Sequence, residues 1–148
     1  MHAPLKLVLD TNIALDLMVF NDPSIQPLRA LLSAHAAVLH ITAHTLNEFA
    51  RVLTYPRLQL SASAITEAQH RYATLCRQQD TPAPLPTLPQ CADPDDQAFI
   101  ELAATIPADF LLSKDKAVLH LGRQRYRERL GFQICTPAQF LAQAQLQA

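Results

Sequence analysis

The stretch Lys6-Leu-Val-Leu-Asp-Thr-Asn-Ile-Ala-Leu-Asp-Leu-Met18 decides the fold. Leu7-Val8-Leu9 is a short apolar run that stops at Asp10, and a helical pattern starts two residues later. A continuous apolar run of this kind suits a strand buried on both faces of a parallel sheet. The carboxylate at its end has two readings. Asp, Thr and Asn all cap helix starts well. The carboxyl end of a strand is also where open α/β sheets put their ligands. One Asp does not choose between them.

Working outward, strands and helices alternate. Residues 6–10 read as a strand, 12–20 as a helix ended by Asn21-Asp22-Pro23, and 23–34 as a second helix. Residues 38–42 read as a strand, followed by the helix AHTLNEFARVL, with Leu46, Phe49, Ala50 and Leu53 on one face. Tyr55-Pro56 breaks it. A long helix is expected over 61–79. Thr81 to Gln90 carries four prolines in ten residues and reads as an extended connector. Beyond it come a helix at 95–105, a strand at 109–113, a short helix at 116–121, a strand at 132–135 and a last helix at 137–146. This alternation predicts a three-layer α/β/α sandwich around a mostly parallel sheet of four to five strands. With 148 residues, the chain is read as one domain spanning 1–148.

Composition narrows the function. Hydrophobic residues make up 49%, which excludes disorder, and the net charge is −1, so bulk electrostatics alone would not grip nucleic acid. No apolar run reaches about 18 residues, so no membrane span is expected. No signal peptide is expected either. Cys76, Cys91 and Cys135 are odd in number and lack a CxxC pair, which fits a reducing cytoplasm. GxGxxG, GxxxxGK[ST], GxSxG and HExxH are all absent. His40 and His44 span a strand-to-helix turn and are not read as ligands.

The acids carry the chemistry. Asp10 ends the first strand and Asp115 follows the strand at 109–113, so a parallel sheet puts both at one edge. Glu48 lies inside an otherwise apolar helical run. Asp93, Asp95 and Asp96 crowd the start of a helix that leads toward the same edge. Each has a plain alternative: the cluster favours the helix dipole, and Asp115 can cap a helix. Taken together, converging carboxylates repel one another, and a hard divalent cation relieves that repulsion. Such a cation lowers the pKa of a bound water and neutralises a leaving oxygen at phosphorus.

These segments resemble the PIN-domain ribonucleases, the fold of VapC-type toxins. LVLDTN is similar to that family's opening strand and first acid, and TLNEFARVL to its second-acid helix. DPDDQAFIELA and ADFLLSKDKAVL resemble the third and fourth acid segments, and FQICTPAQFL the last strand and helix. Carried over by position, the resemblance implies Asp10, Glu48, Asp96 and Asp115 as catalytic and metal-holding acids. Asn12 steadies the first, and Ser113 fills the small hydroxyl position before the last. It implies Mg²⁺- or Mn²⁺-dependent cleavage of RNA by water, an antitoxin partner and homodimers. Lys114 and Lys116 flank Asp115 and are expected to guide phosphate. Arg51, three residues after Glu48, is expected to pair with it or to meet substrate or antitoxin. Arg123, Arg125, Arg127 and Arg129 around Tyr126 read as a solvated run or an RNA patch. Thr105-Ile106-Pro107 departs from the glycines that many relatives carry before the fourth-acid strand.

Two other functions stay open. A non-catalytic module of the same fold would keep the acids without turnover. A phosphatase with an aspartyl nucleophile at Asp10 would pair it with a second Asp two residues on, and position 12 is Asn.

Overall fold

The computed structural model describes residues 3–85, 87–91, 93–123 and 128–146. Five parallel strands form one sheet in the order β3-β2-β1-β4-β5. They are β1 (Leu5–Leu9), β2 (Ala37–Thr42), β3 (Arg77–Gln79), β4 (Phe110–Leu112) and β5 (Gln133–Cys135). Leu7 lies opposite both Leu39 and Phe110, which puts β1 at the centre.

The sheet separates two cores. Leu7, Leu9, Leu39, Ile41 and Leu112 face one side with Ile13, Leu28, Phe49, Tyr72 and Phe140. Val8, Leu111 and Ile134 face the other with Phe99, Ile100, Leu102 and Val118. The period-2 alternation of strand side chains produces this division, and both faces are apolar because both are covered. The first face is covered by α1 (Thr11–Leu15), α2 (Gln26–Ser33), α3 (Ala43–Leu53), α4 (Ala62–Leu75) and α7 (Pro137–Leu146). The second is covered by α5 (Pro94–Thr105) and α6 (Lys116–His120). The expected α/β/α sandwich is therefore present, with five strands and every pairing parallel.

The strand order fixes where a site can form. From β1 the chain builds β2 and β3 on one side, then crosses to build β4 and β5 on the other. The reversal falls between β1 and β4, and the carboxyl ends of strands at such a switch point are the usual ligand position in open α/β sheets.

Three elements differ from expectation. Residues 77–79, read as the end of a long helix, form β3. The helix ends at Cys76, whose extended backbone (φ −95°, ψ 153°) turns the chain onto the free edge of β2. Residues 12–20 are not one α-helix: α1 stops at Leu15 and a π-helical turn runs Asp16–Phe20. Asn21 ends that turn in the left-handed conformation (φ 47°), which Asn tolerates better than most residues. The stretch 23–34 opens with a 3₁₀ turn, Pro23–Ile25, before α2.

The proline-rich connector has no regular structure among its described residues and is tied to the second face. The Gln97 side chain accepts from the Cys91 N–H (2.6 Å) and donates to the Pro89 carbonyl (3.3 Å). Arg129 donates to the Thr87 carbonyl at 2.7 Å, so this arginine of the basic run braces the connector. Arg125, Tyr126 and Arg127 lie outside the described residues. None of the three cysteines is in a disulfide. Among the described residues, no helix is long and apolar enough to cross a membrane.

Candidate metal-dependent nuclease site

Asp10 leaves β1 and caps α1, its Oδ1 accepting the Thr11 N–H at 2.7 Å. Capping and site placement therefore coincide in this residue. Its Oδ2 accepts the Ser113 hydroxyl at 2.6 Å and, at 3.5 Å, the Asn12 amide. Ser113 is fully buried just beyond β4, and its oxygen also accepts the Asp115 N–H at 2.9 Å. One hydroxyl thus links the ends of β1 and β4 and joins Asp10 to the Asp115 backbone. Asn12 adds a second link, accepting the Lys114 N–H at 3.3 Å.

Asp115 caps α6, its Oδ1 accepting from Ala117 (2.8 Å) and Val118 (3.2 Å). At the start of α5 the three acids divide. Asp93 is the exposed cap and accepts the Asp95 N–H at 2.9 Å. Asp95 reaches across to Arg51 of α3 at 2.8 Å. Asp96 is half-buried, with the Cys91 thiol 3.9 Å from its Oδ2.

Electrostatics couple the acids. Burial pushes the Asp10 carboxyl above its ordinary range. The Ser113 and Thr11 hydrogen bonds oppose that, and the charges of Asp115 and Glu48 add to it. Asp96 is pushed up to about 7, first by burial and then by Asp10, Asp93, Asp115 and Asp95. Asp10 therefore feels the charges of Asp115 and Glu48, and Asp96 those of Asp10 and Asp115.

Glu48 is held elsewhere. Both its oxygens accept from the Arg51 guanidinium, at 2.7 and 2.5 Å. Lys114 is also engaged: its ammonium lies 2.6 Å from buried Asp16, on the π-helical turn. Lys116 is exposed at the first turn of α6. His40 pairs with Gln79 at 3.2 Å. Asp16 is the residue that the sequence reading missed. Its signal was a carboxylate among Ala14, Leu15, Leu17 and Met18, all of them buried.

Do these residues suit a divalent cation? Among the described residues, no three His, Cys, Asp or Glu side chains stand close enough together to hold a metal ion. The donor chemistry does fit, because every acid at the edge offers hard carboxylate oxygen. Mg²⁺ keeps several waters and needs only one or two protein carboxylates. The upward push on Asp10 and Asp96 comes first from burial and then from neighbouring acids, and a bound cation would offset both.

The family described as PIN domain matches residues 6–117. The chain belongs to that family. PIN domains are typically nucleases, generally bind divalent metals, and typically bind RNA. No curated protein matches the chain.

Proposed function

We propose that the protein is a Mg²⁺- or Mn²⁺-dependent endoribonuclease, a single nuclease domain over 1–148 and the toxin of a type II toxin–antitoxin system. It works in the cytoplasm, is held in check by a cognate antitoxin, and forms homodimers. What supports the reading is that Ser113 joins Asp10, at the end of β1, to Asp115, just past β4, at the topological switch point of a PIN fold.

Of the four acids Asp10, Asp96, Asp115 and Glu48, Asp10 with one of the others would hold the cation, and water would fill its remaining positions. Bound there, it would supply a water of lowered pKa and neutralise charge on the leaving oxygen. The chain's own contribution is placement. Ser113 donates to Asp10, which favours the ionised carboxylate against its burial and orients its second oxygen. Asn12 fixes the Lys114 backbone, and Lys114 and Lys116 bring positive charge beside Asp115 for the RNA phosphate. Arg51 can meet the same strand from α3.

The test is cleavage of single-stranded RNA by the purified protein with Mg²⁺ or Mn²⁺, alongside Asp10→Asn and excess EDTA. Loss of about 100-fold or more is expected in both cases, because the metal-activated water is the nucleophile. Full activity in either one rejects the reading. A second reading, a non-catalytic PIN module, is favoured by the ion pair that keeps Glu48 on Arg51. It predicts no Mn²⁺ binding at millimolar metal.

A further inference from the structure

We infer that Arg51 is a built-in counter-cation of the acid site, holding Glu48 and Asp95 in an ion pair that a divalent cation must break in order to use Glu48. The inference rests on the metal-dependent reading above and names a control on that same site.

Glu48 and Arg51 are three residues apart on α3 and share a helix face. One guanidinium nitrogen, Nη2, meets both Glu48 oxygens, at 2.7 and 2.5 Å, and the Asp95 Oδ2 on α5 at 2.8 Å. It ties the second-acid helix to the first turn of the third-acid helix, one residue before Asp96. Glu48 offers no oxygen that is not already facing positive charge. A divalent ion on the same carboxylate would sit within a few ångströms of the guanidinium, and like charges at that distance repel.

The guanidinium cannot escape by losing its proton, because arginine stays charged in proteins. It has to move. The Arg51 side chain is 55% exposed, so it can swing into water without opening a cavity, whereas the Glu48 side chain is only 15% exposed and has less room to move. Arg51 is therefore a positioning residue. It sets how much cation is needed to recruit Glu48, and its release frees a positive group beside the site for the RNA backbone.

The test is a Mn²⁺ titration of the intact protein, followed by the electron paramagnetic resonance signal of free Mn²⁺. Wild type is compared with Arg51→Gln and Arg51→Lys, with Glu48→Gln and the double variant Glu48→Gln/Arg51→Gln as controls. Arg51→Gln should bind Mn²⁺ about 2- to 5-fold more tightly, the range expected for one exposed ion pair. Arg51→Lys, which lacks the planar fork, should fall between it and wild type. The gain should vanish on the Glu48→Gln background. If Arg51→Gln misfolds, Arg51→Lys carries the comparison. Unchanged or weaker binding in the arginine variants overturns this inference alone and leaves Arg51 as a tie between helices. No binding in wild type or in any arginine variant overturns the metal-site reading as well. Binding only after Arg51 is replaced gives the inference its strongest support.

Discussion

Replacing Ser113 by alanine removes one oxygen that serves two acids. The hydroxyl is fully buried, donates to the Asp10 carboxylate at 2.6 Å and accepts the Asp115 N–H at 2.9 Å. A hydrogen bond to a charged group contributes about 1.5–3 kcal/mol, and an orphaned buried N–H costs about 1–3 kcal/mol. The two losses do not add fully. Asp10 keeps its Thr11 N–H, and the Asp115 amide is only part-buried, so water can reach it. The expected destabilisation is about 2–3 kcal/mol. That corresponds to a fall in Tm of roughly 5–10 °C for a chain of this size. Ser113 is also the strongest influence lowering the Asp10 pKa, so the variant should hold the Asp10 proton to higher pH. The acid limb of the activity profile then moves upward. Urea melts in EDTA measure the first effect and a pH–rate profile the second. A stability loss under about 0.5 kcal/mol with an unmoved acid limb would refute the role given to this hydroxyl.

Asp96 makes the metal-free protein less stable as pH rises. Its folded pKa is about 7, against about 3.9 when unfolded, so between these values the native state keeps a proton that the unfolded chain has lost. Stability therefore falls from about pH 4 to 7 and stays low above that. Asp96 is partly solvated, so the screened effect is about 1–2 kcal/mol. His40 works in the opposite sense, because burial lowers its pKa and stability is lost as pH falls. The difference between wild type and Asp96→Asn isolates the Asp96 contribution. In EDTA the asparagine variant should gain on wild type between pH 5 and pH 8, and parallel melts would contradict this. Asp16→Asn should cost about 1 kcal/mol by releasing the half-exposed Lys114. In a double-mutant cycle with Lys114→Met the losses should be less than additive, and strict additivity would show that the pair is not coupled.

The fold was legible where a residue's own periodicity decides its place. Leu7-Val8-Leu9 reads as a buried strand and is one, and α3 and α7 begin and end where their patterns do. β3 was hidden because Arg77-Gln78-Gln79 has no apolar alternation. It is a strand only because β2 offers it an unpaired edge. The π-helical turn was hidden for a similar reason: Asp16 and Arg29 act there through contacts distant in sequence. Arg29 donates to the Leu17 carbonyl, and Asp16 holds Lys114. Among the acids, chain order put Asp10 and Asp115 at one sheet edge, and the capping weighed as the alternative for each is also present, so the two readings are not exclusive. The choice of Asp96 over Asp93 and Asp95 rested on spacing. The structure adds a physical distinction, since Asp93 caps α5 and Asp95 meets Arg51, whereas Asp96 is half-buried and is raised first by that burial and then by Asp10. The Arg51 bridge to α5 joins residues 44 apart, beyond the reach of a helical spacing argument.

The central claim is that the carboxyl edge of β1 and β4 holds a divalent cation. Anomalous diffraction from a crystal soaked in Mn²⁺ tests it most directly. A manganese peak bound by oxygens of Asp10 and at least one of Asp96, Asp115 and Glu48, and lost in Asp10→Asn, is the result this account predicts. A fully occupied soak with no peak there, or with manganese bound only elsewhere, would contradict it.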